Sequence, residues 1–456
     1  MCGNRSWVNV HSILTAVSSK PVGPGKTHQF SALDHALGSH SLHAVFYYER
    51  NPFKAFDLDP LRECLSEVLS FYHPITGRLT RGENGNWVVK CNDAGVRILR
   101  AKVSVTVDEW LRSADGVRER DLTVWEDMPE DPSGWSPFRI QVNEFEGGGV
   151  ALGISCSHMH ADPTTLTILF KSWTEGHRGQ PVAHPPSFSR PLHARTTPTT
   201  TANHKPASPY YATKSKPKTS PIMAAATFKF SNSTIDQCLA EIHESFSDAT
   251  PFDFLAALFW TRIASLKGQK HNDHHQHFLS ICTDFRRRLQ DPQLPYGYFG
   301  NALHFSALSV NEEDMEFSRL GCLAGLIHRH VSGLKDEEIL SAIDWLESQK
   351  GEGGKYESPC RMYGPELTCV SMEHTIINGD PPLMYSAIFD GDNKPVHVTY
   401  HVGNAEGEGL IMVMPSPEGG LARTVTVTLP EKELINLRED QAILRLEPVM
   451  LLNGGL

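Results

Sequence analysis

No Cys-x-x-Cys pair occurs in this chain, and its nine cysteines are scattered singly. The missing spacing argues against a thiolate zinc site. The odd count in a long chain points to reduced thiols in the cytosol rather than a disulfide framework. No run of about eighteen apolar residues occurs, so no helix is expected to span a membrane. No apolar segment preceded by basic residues opens the chain, so no secretory leader is expected. Basic residues are in deficit: 42 Lys and Arg stand against 53 Asp and Glu, a formal net charge of −11. That balance argues against a nucleic-acid surface. What is there is 40% apolar and 21% charged residues, the composition of a soluble globular protein. The length suits roughly two or three domains.

One stretch organises the rest: VALGISCSHMHADPTTLTILFKSW, residues 150–173. Its apolar opening reads as a buried strand over 150–156. Asp162 then fits an N-cap and Pro163 the first helical position, where a missing N–H costs nothing. Leu166, Leu169, Phe170 and Trp173 recur at helical spacing on one face. Between strand and helix sits Ser157-His158-Met159-His160-Ala161. His158 there can act as a general base, taking a proton from a hydroxyl or amine as that group attacks a carbonyl. Asp162, as a cap, holds the loop rather than relaying a proton. The plain alternative for a lone His-x-x-x-Asp is a histidine bonded locally in a turn. His160 is the rival base, and an extended turn points it away from His158.

Along the chain, strands are expected at 7–16, 43–48, 87–90, 96–106, 136–143, 226–230, 278–283, 366–372, 383–389, 395–402, 409–414 and 423–429. Residues 17–29 read as loop, and Asn84-Gly85-Asn86 as a hairpin turn. Helices are expected at 61–71, 107–113, 252–266, 314–332 and 336–349, from Glu431, and from a Ser233 cap to His243. Between Gly176 and about Ser220, Pro, Ser and Thr dominate and periodicity disappears. The reading is three parts: residues 1–178 with the His-x-x-x-Asp stretch, a crossover linker over 179–222, and a second half over 223–456. The linker's Lys205, Lys214, Lys216 and Lys218 read as solvated charges. The histidine-rich run His271–His277 reads as an exposed loop rather than a metal site, because no acidic or cysteine ligand pattern accompanies it. Mixed strands and helices without a repeat give α/β or α+β in two halves.

Several segments together resemble a known family. Phe30-Ser31-Ala32-Leu33-Asp34, Tyr72-His73-Pro74-Ile75-Thr76-Gly77-Arg78-Leu79 and Cys91-Asn92-Asp93-Ala94-Gly95 are similar to N-terminal signatures of the plant BAHD acyl-CoA-dependent acyltransferases. His158-Met159-His160-Ala161-Asp162 matches that family's His-x-x-x-Asp. Asp284-Phe285-Arg286 resembles its Asp-x-Arg, and Leu294-Pro295-Tyr296-Gly297-Tyr298-Phe299-Gly300-Asn301 its Gly-Tyr-Phe-Gly-Asn turn. The resemblance implies an α/β fold of two similar chloramphenicol-acetyltransferase-like halves with a channel between them. It implies His158 as general base and Asp162 as structural, paired with Arg286 behind the catalytic turn. It also implies acyl-CoA as co-substrate and a small alcohol or amine as acceptor, with no metal and no permanently bound cofactor. A thioester carbonyl gains negative charge in the transition state, so a donor must face it.

One segment departs from the family. Its Asp-Phe-Gly-Trp-Gly motif belongs just before Lys394-Pro395, where Phe389-Asp390-Gly391-Asp392-Asn393 stands instead. The plain reading is a turn with Gly391 at positive φ. A similar alteration marks the ECERIFERUM/Glossy-type branch of cuticular wax synthesis, and residues 395–414 resemble that branch's pattern. Two functions follow as expectations. One is an acyl-CoA-dependent O- or N-acyltransferase of specialised metabolism. The other is a non-catalytic partner of a fatty-acid elongase condensing enzyme in very-long-chain fatty acid synthesis, associated with the endoplasmic reticulum. A cytoplasmic monomer is expected for the first.

Overall fold

A computed structural model of the chain describes residues 7–53, 59–189, 208–214, 222–267, 276–290, 293–357, 359–377 and 381–452. The expected linker over 190–207, with Lys205, and Lys216, Lys218 and His271–His275 lie outside the described residues.

The first part of the chain carries strands β1 (Val8–Ala16), β2 (Thr27–Gln29), β3 (Ser41–Tyr48), β4 (Arg78–Arg81), β5 (Trp87–Lys90), β6 (Val96–Val103), β7 (Phe138–Phe145) and β8 (Val150–Ser157). The second carries β9 (Met223–Phe230), β10 (Gln276–Asp284), β11 (Leu303–Asn311), β12 (Leu367–Ser371), β13 (His397–Gly403), β14 (Leu410–Pro415), β15 (Arg423–Pro430) and β16 (Val449–Leu451). One sheet has the order β1-β6-β7-β8-β3-β13, the other β11-β10-β12-β14-β15-β9-β16, and β2-β5-β4 form a small third. β13 therefore leaves its own half. It pairs antiparallel with β3, with His401 opposite His43 and Tyr400 opposite Ala44. The chain is α/β, with two sheet-rich halves facing one another.

The pattern of burial follows position. β1 is an edge strand, and Val10 and Ile13 are exposed. β8 is central and buried at every position, which is why it reads as a continuous apolar run. Gly153 in its middle is required by a close approach: a Cβ there would stand 2.1 Å from the Leu122 carbonyl oxygen. The helix Pro163–His177 packs its buried face over this sheet and against the helix Asp59–Leu69, placing Phe170 in stacking contact with Phe46, ring centroids 3.9 Å apart. One apolar core runs through both halves, taking Phe46, Phe170 and Trp173 from the first and Phe305, Tyr363 and Phe389 from the second. A second core lies behind the other sheet around Phe228, Phe259 and Trp260.

Four local expectations are corrected. Residues 383–386 form a 3-10 turn, not a strand, because Pro382 precedes it and neither sheet takes it up. The helix ending at His243 is capped by Ser231, whose side chain accepts from Thr234 N, rather than by Ser233. Residues 17–29 include the short strand β2. Lys214 is not solvated: it is wholly buried, donating to the Gly364 carbonyl at 2.7 Å and paired with Glu366. Burial in that pocket depresses the ammonium, only partly offset by Glu366.

Candidate active site

The turn after β8 is fixed from behind. Asp162 caps the helix Pro163–His177, its Oδ1 accepting from Thr165 N at 2.8 Å. The same carboxylate accepts from Arg286 Nη1 at 2.7 Å and Nη2 at 3.0 Å, and from Ala302 N at 2.9 Å. Arg286 is 1% exposed and also donates to Thr165 Oγ1 and to the carbonyls of Tyr298 and Gly300, at 3.0, 3.1 and 3.1 Å. It pairs with Asp284 as well. Burial alone would lower the Arg286 guanidinium, but the carboxylates of Asp162 and Asp284 outweigh it and raise it. Two carboxylates and one guanidinium, all buried, make a charge-assisted lock with two-pronged geometry.

Asn301 ties the turn to the N-terminal segment. Its Nδ2 donates to the His158 carbonyl and to Asp34 Oδ1, each at 2.8 Å. Asp34 itself closes a capping box with Ser31. Segments separated by more than 100 residues thus converge on one turn, and they are the segments whose patterns stood out in the sequence.

The His158 ring is wholly buried, and Nε2 lies 2.9 Å from the Tyr363 hydroxyl. Burial raises that hydroxyl well above its ordinary pKa, so Tyr363 keeps its proton. The network therefore assigns Tyr363 as donor and Nε2 as acceptor, with the ring proton on Nδ1, which has no hydrogen-bond partner among the described residues. Burial lowers the His158 pKa, so the ring is neutral at pH 7, the form a base requires. His158 N–H donates to the His40 carbonyl at 3.0 Å, and the His40 ring reaches the Gly403 carbonyl at 3.1 Å. His160 points away, as expected, edge-on to Phe30 at 4.9 Å and Phe138 at 5.5 Å. Burial lowers it to about 3.

Between the halves lies a cavity of about 650 Å³, lined from the first sheet by Ser41 and His401, from the loop before β7 by Trp125, and from the second half by Ala225, Arg361 and Thr428. His158 does not line it. His40 and the Tyr363 ring, 5.1 Å apart between centroids, stand against His158. Sequence reasoning missed Tyr363 and His40. Neither carries a local signal, and Tyr363 is 205 residues from the histidine it meets.

Phe389 to Asn393 form a closed turn. Phe389 is buried among Tyr48, Phe53, Trp173 and His177. Asn393 N–H donates to the Asp390 carbonyl at 2.8 Å, and Gly391 has φ +53°. Asp392 is exposed and paired with Arg50, whose carbonyl accepts from Asn393 Nδ2 at 2.9 Å. Asp390 lies 3.7 Å from His177. Among the described residues, no group of three or more His, Cys, Asp or Glu side chains is placed to hold a metal, and no helix is long and apolar enough to cross a membrane.

Two facing sheets, with a His-x-x-x-Asp turn locked at their junction, define a two-half transferase architecture. The crystal structure of vinorine synthase has the same fold, with a TM-score of 0.72 at 20% identity, covering 96% of this chain and 98% of that one. The structure of F. sporotrichioides TRI101 complexed with coenzyme A and T-2 aligns with a TM-score of 0.69 at 14% identity, covering 94% and 100%. The model of the family described as the Transferase family, the BAHD acyltransferases, matches residues 8–444, and the chain belongs to that family. A hydroxycinnamoyltransferase of Narcissus pseudonarcissus is 27% identical over 447 residues, covering 95% of this chain and 98% of its own. Protein ECERIFERUM 2 of Arabidopsis thaliana is 25% identical over 441 residues, covering 93% and 96%.

Proposed function

We propose that the chain transfers an acyl group from acyl-CoA to an alcohol or amine, with His158 as general base. The observation that carries this reading is the hydroxyl 2.9 Å from His158 Nε2. Tyr363 occupies the place an acceptor hydroxyl would take, and an acceptor must displace it. The acceptor's proton then passes to Nε2 as its oxygen or nitrogen attacks the thioester carbonyl. The tetrahedral intermediate expels the CoA thiolate, which recovers the proton from the imidazolium. Asp162 and Arg286 keep the turn in place and touch neither reactant. Because relatives are named hydroxycinnamoyltransferases, a hydroxycinnamoyl-CoA is the first donor to test. His158→Ala should lower turnover by about 10²–10⁴, the range for losing a general base, with His160→Ala mild. An unchanged rate in His158→Ala removes this mechanism.

A second reading is supported by the closed site: His158 is wholly buried, the Phe389–Asn393 turn is sealed onto Arg50, and ECERIFERUM 2 is among the relatives. In that reading the chain is a non-catalytic partner of an elongase condensing enzyme. Expression in yeast with a plant condensing enzyme, with acyl lengths read by gas chromatography, separates the two. Lengthening that survives His158→Ala supports the partner role. No lengthening with any condensing enzyme counts against it.

A further inference from the structure

Three buried histidines near the junction use their ring nitrogens differently. His43 has both engaged, with Ser41 Oγ at 2.9 Å and Thr123 Oγ1 at 3.3 Å. His158 has Nε2 on Tyr363 and is sealed. His401, opposite His43 across β13 and β3, has Nε2 2.7 Å from Glu119 Oε2. Its Nδ1 has no hydrogen-bond partner among the described residues, and the residue lines the 650 Å³ cavity.

Glu119 is 1% exposed, and its other oxygen accepts from the Tyr47 hydroxyl and Thr399 Oγ1, both at 2.6 Å. Burial pushes this carboxyl up, but His401 and the donors outweigh it, leaving it below the ordinary value and ionised. A carboxylate only accepts, so His401 Nε2 carries the proton on the Glu119 side, and Nδ1 is the nitrogen left to exchange a proton with a bound acceptor. This is the acid–histidine half of a catalytic triad with the two nitrogens exchanged.

We propose that His401, held by Glu119, is a second general base, taking the proton of a polar hydroxyl- or amine-bearing acceptor bound in the cavity between the halves. The lining carries Arg120 and Arg361 against Glu126, Asp127 and Glu406, which suits a polar acceptor rather than an apolar acyl chain. The covalent step rests on the acyl-transfer reading above. The acceptor O–H or N–H proton goes to Nδ1, the freed lone pair bonds the thioester carbon, the C–S bond breaks, and the thiolate takes the proton back. Ser39, Ser41 and Gly403 of the lining flank His40, whose carbonyl binds the His158 turn, so the cavity ends beside the first site. His401 is a catalytic residue in this proposal and Glu119 a positioning residue.

The test begins with the wild-type full chain and diethyl pyrocarbonate, with each histidine followed by peptide mass spectrometry. His401 should be carbethoxylated severalfold faster than His158 and His160, and Glu119→Gln should slow it. Labelling of His401 no faster than of sealed His160 overturns the proposal, whether or not Glu119→Gln folds. In parallel, p-coumaroyl-CoA is offered with shikimate or tyramine and CoA release is measured. In the His158→Ala background, which silences the first site, His401→Gln should lower the remaining kcat/KM by about 10²–10⁴ with melting temperature unchanged. Undiminished kcat/KM in that variant also overturns the proposal. No CoA release by wild type with fast His401 labelling counts against the transferase reading and leaves the reactive dyad standing.

Discussion

Removing Arg286 strands two carboxylates in a wholly buried place, and removing Asp162 leaves Arg286 with Asp284 as its one remaining carboxylate. Breaking a buried pair from one side costs about 3–5 kcal/mol, chiefly because the remaining ion is uncompensated. Asp162→Ala and Arg286→Ala should therefore each lower melting temperature and activity, and the double variant should be little worse than either. Calorimetry on the three variants checks this, and strictly additive losses would show that the pair does not act as a unit. Asp284 sharpens the expectation. With Asp162 gone, Arg286 keeps one carboxylate, so Asp162→Ala should be the milder single change. His160 gives a second prediction at this scale. Burial holds its folded pKa at about 3, against 6.5 when unfolded. In the window between these values the unfolded chain binds more protons, so stability falls as pH drops below 6.5. For this one ring the loss between pH 6.5 and 5 is about 2 kcal/mol. His160→Phe should flatten the dependence of melting temperature on pH across that window, and an unchanged slope would show that the ring is protonated in the fold.

At the scale of elements, the strand–turn–helix around His158 was legible because its signals are local: an apolar run, an Asp cap, a Pro at the first helical position. The Asp162–Arg286 pairing was legible only through resemblance, since nothing in spacing joins residues 124 apart. β11 was missed, and the strand expected at 383–389 is a turn, because short apolar runs look alike until a sheet accepts or refuses them. Lys214 shows the same limit: a lysine in a polar stretch reads as solvated, and only the fold reveals the pocket that buries it. The reading of Phe389–Asn393 as a turn with Gly391 at positive φ rested on local chemistry and agrees with the structure. Its two acids lie on the surface, Asp392 against Arg50. Grafting Phe-Gly-Trp-Gly over Asp390–Asn393 removes both charges, whose repulsion of CoA phosphates acts within a Debye length of roughly 10 Å. Titration with acyl-CoA should show tighter binding for the graft at low salt, with the gain shrinking as salt rises. Equal affinity at all salt concentrations would place the cofactor's phosphates elsewhere.

For the whole molecule, the exchange of β13 matters most. Residues 8–157 supply five strands of the first sheet, but the sixth, β13, comes from residues 397–403. Without it, β3 becomes an edge, although Leu42 to Tyr48 are all buried in the intact chain. An uncovered, apolar edge strand is a template for aggregation. The polar cluster would fail as well, since Glu119 would lose the donors Thr399 and His401 and keep only Tyr47. The turn at His158 would lose Arg286 and Asn301. A fragment of residues 1–178 should therefore be insoluble or lack a cooperative thermal transition, despite carrying the His-x-x-x-Asp stretch. Co-expression with residues 223–456 should recover soluble material, because the missing strand and both locks arrive together. Circular dichroism melting of the fragment alone and of the co-expressed pair makes the comparison. A fragment that melts cooperatively by itself would show that the first half folds without β13, and that the junction is assembled after its halves rather than with them.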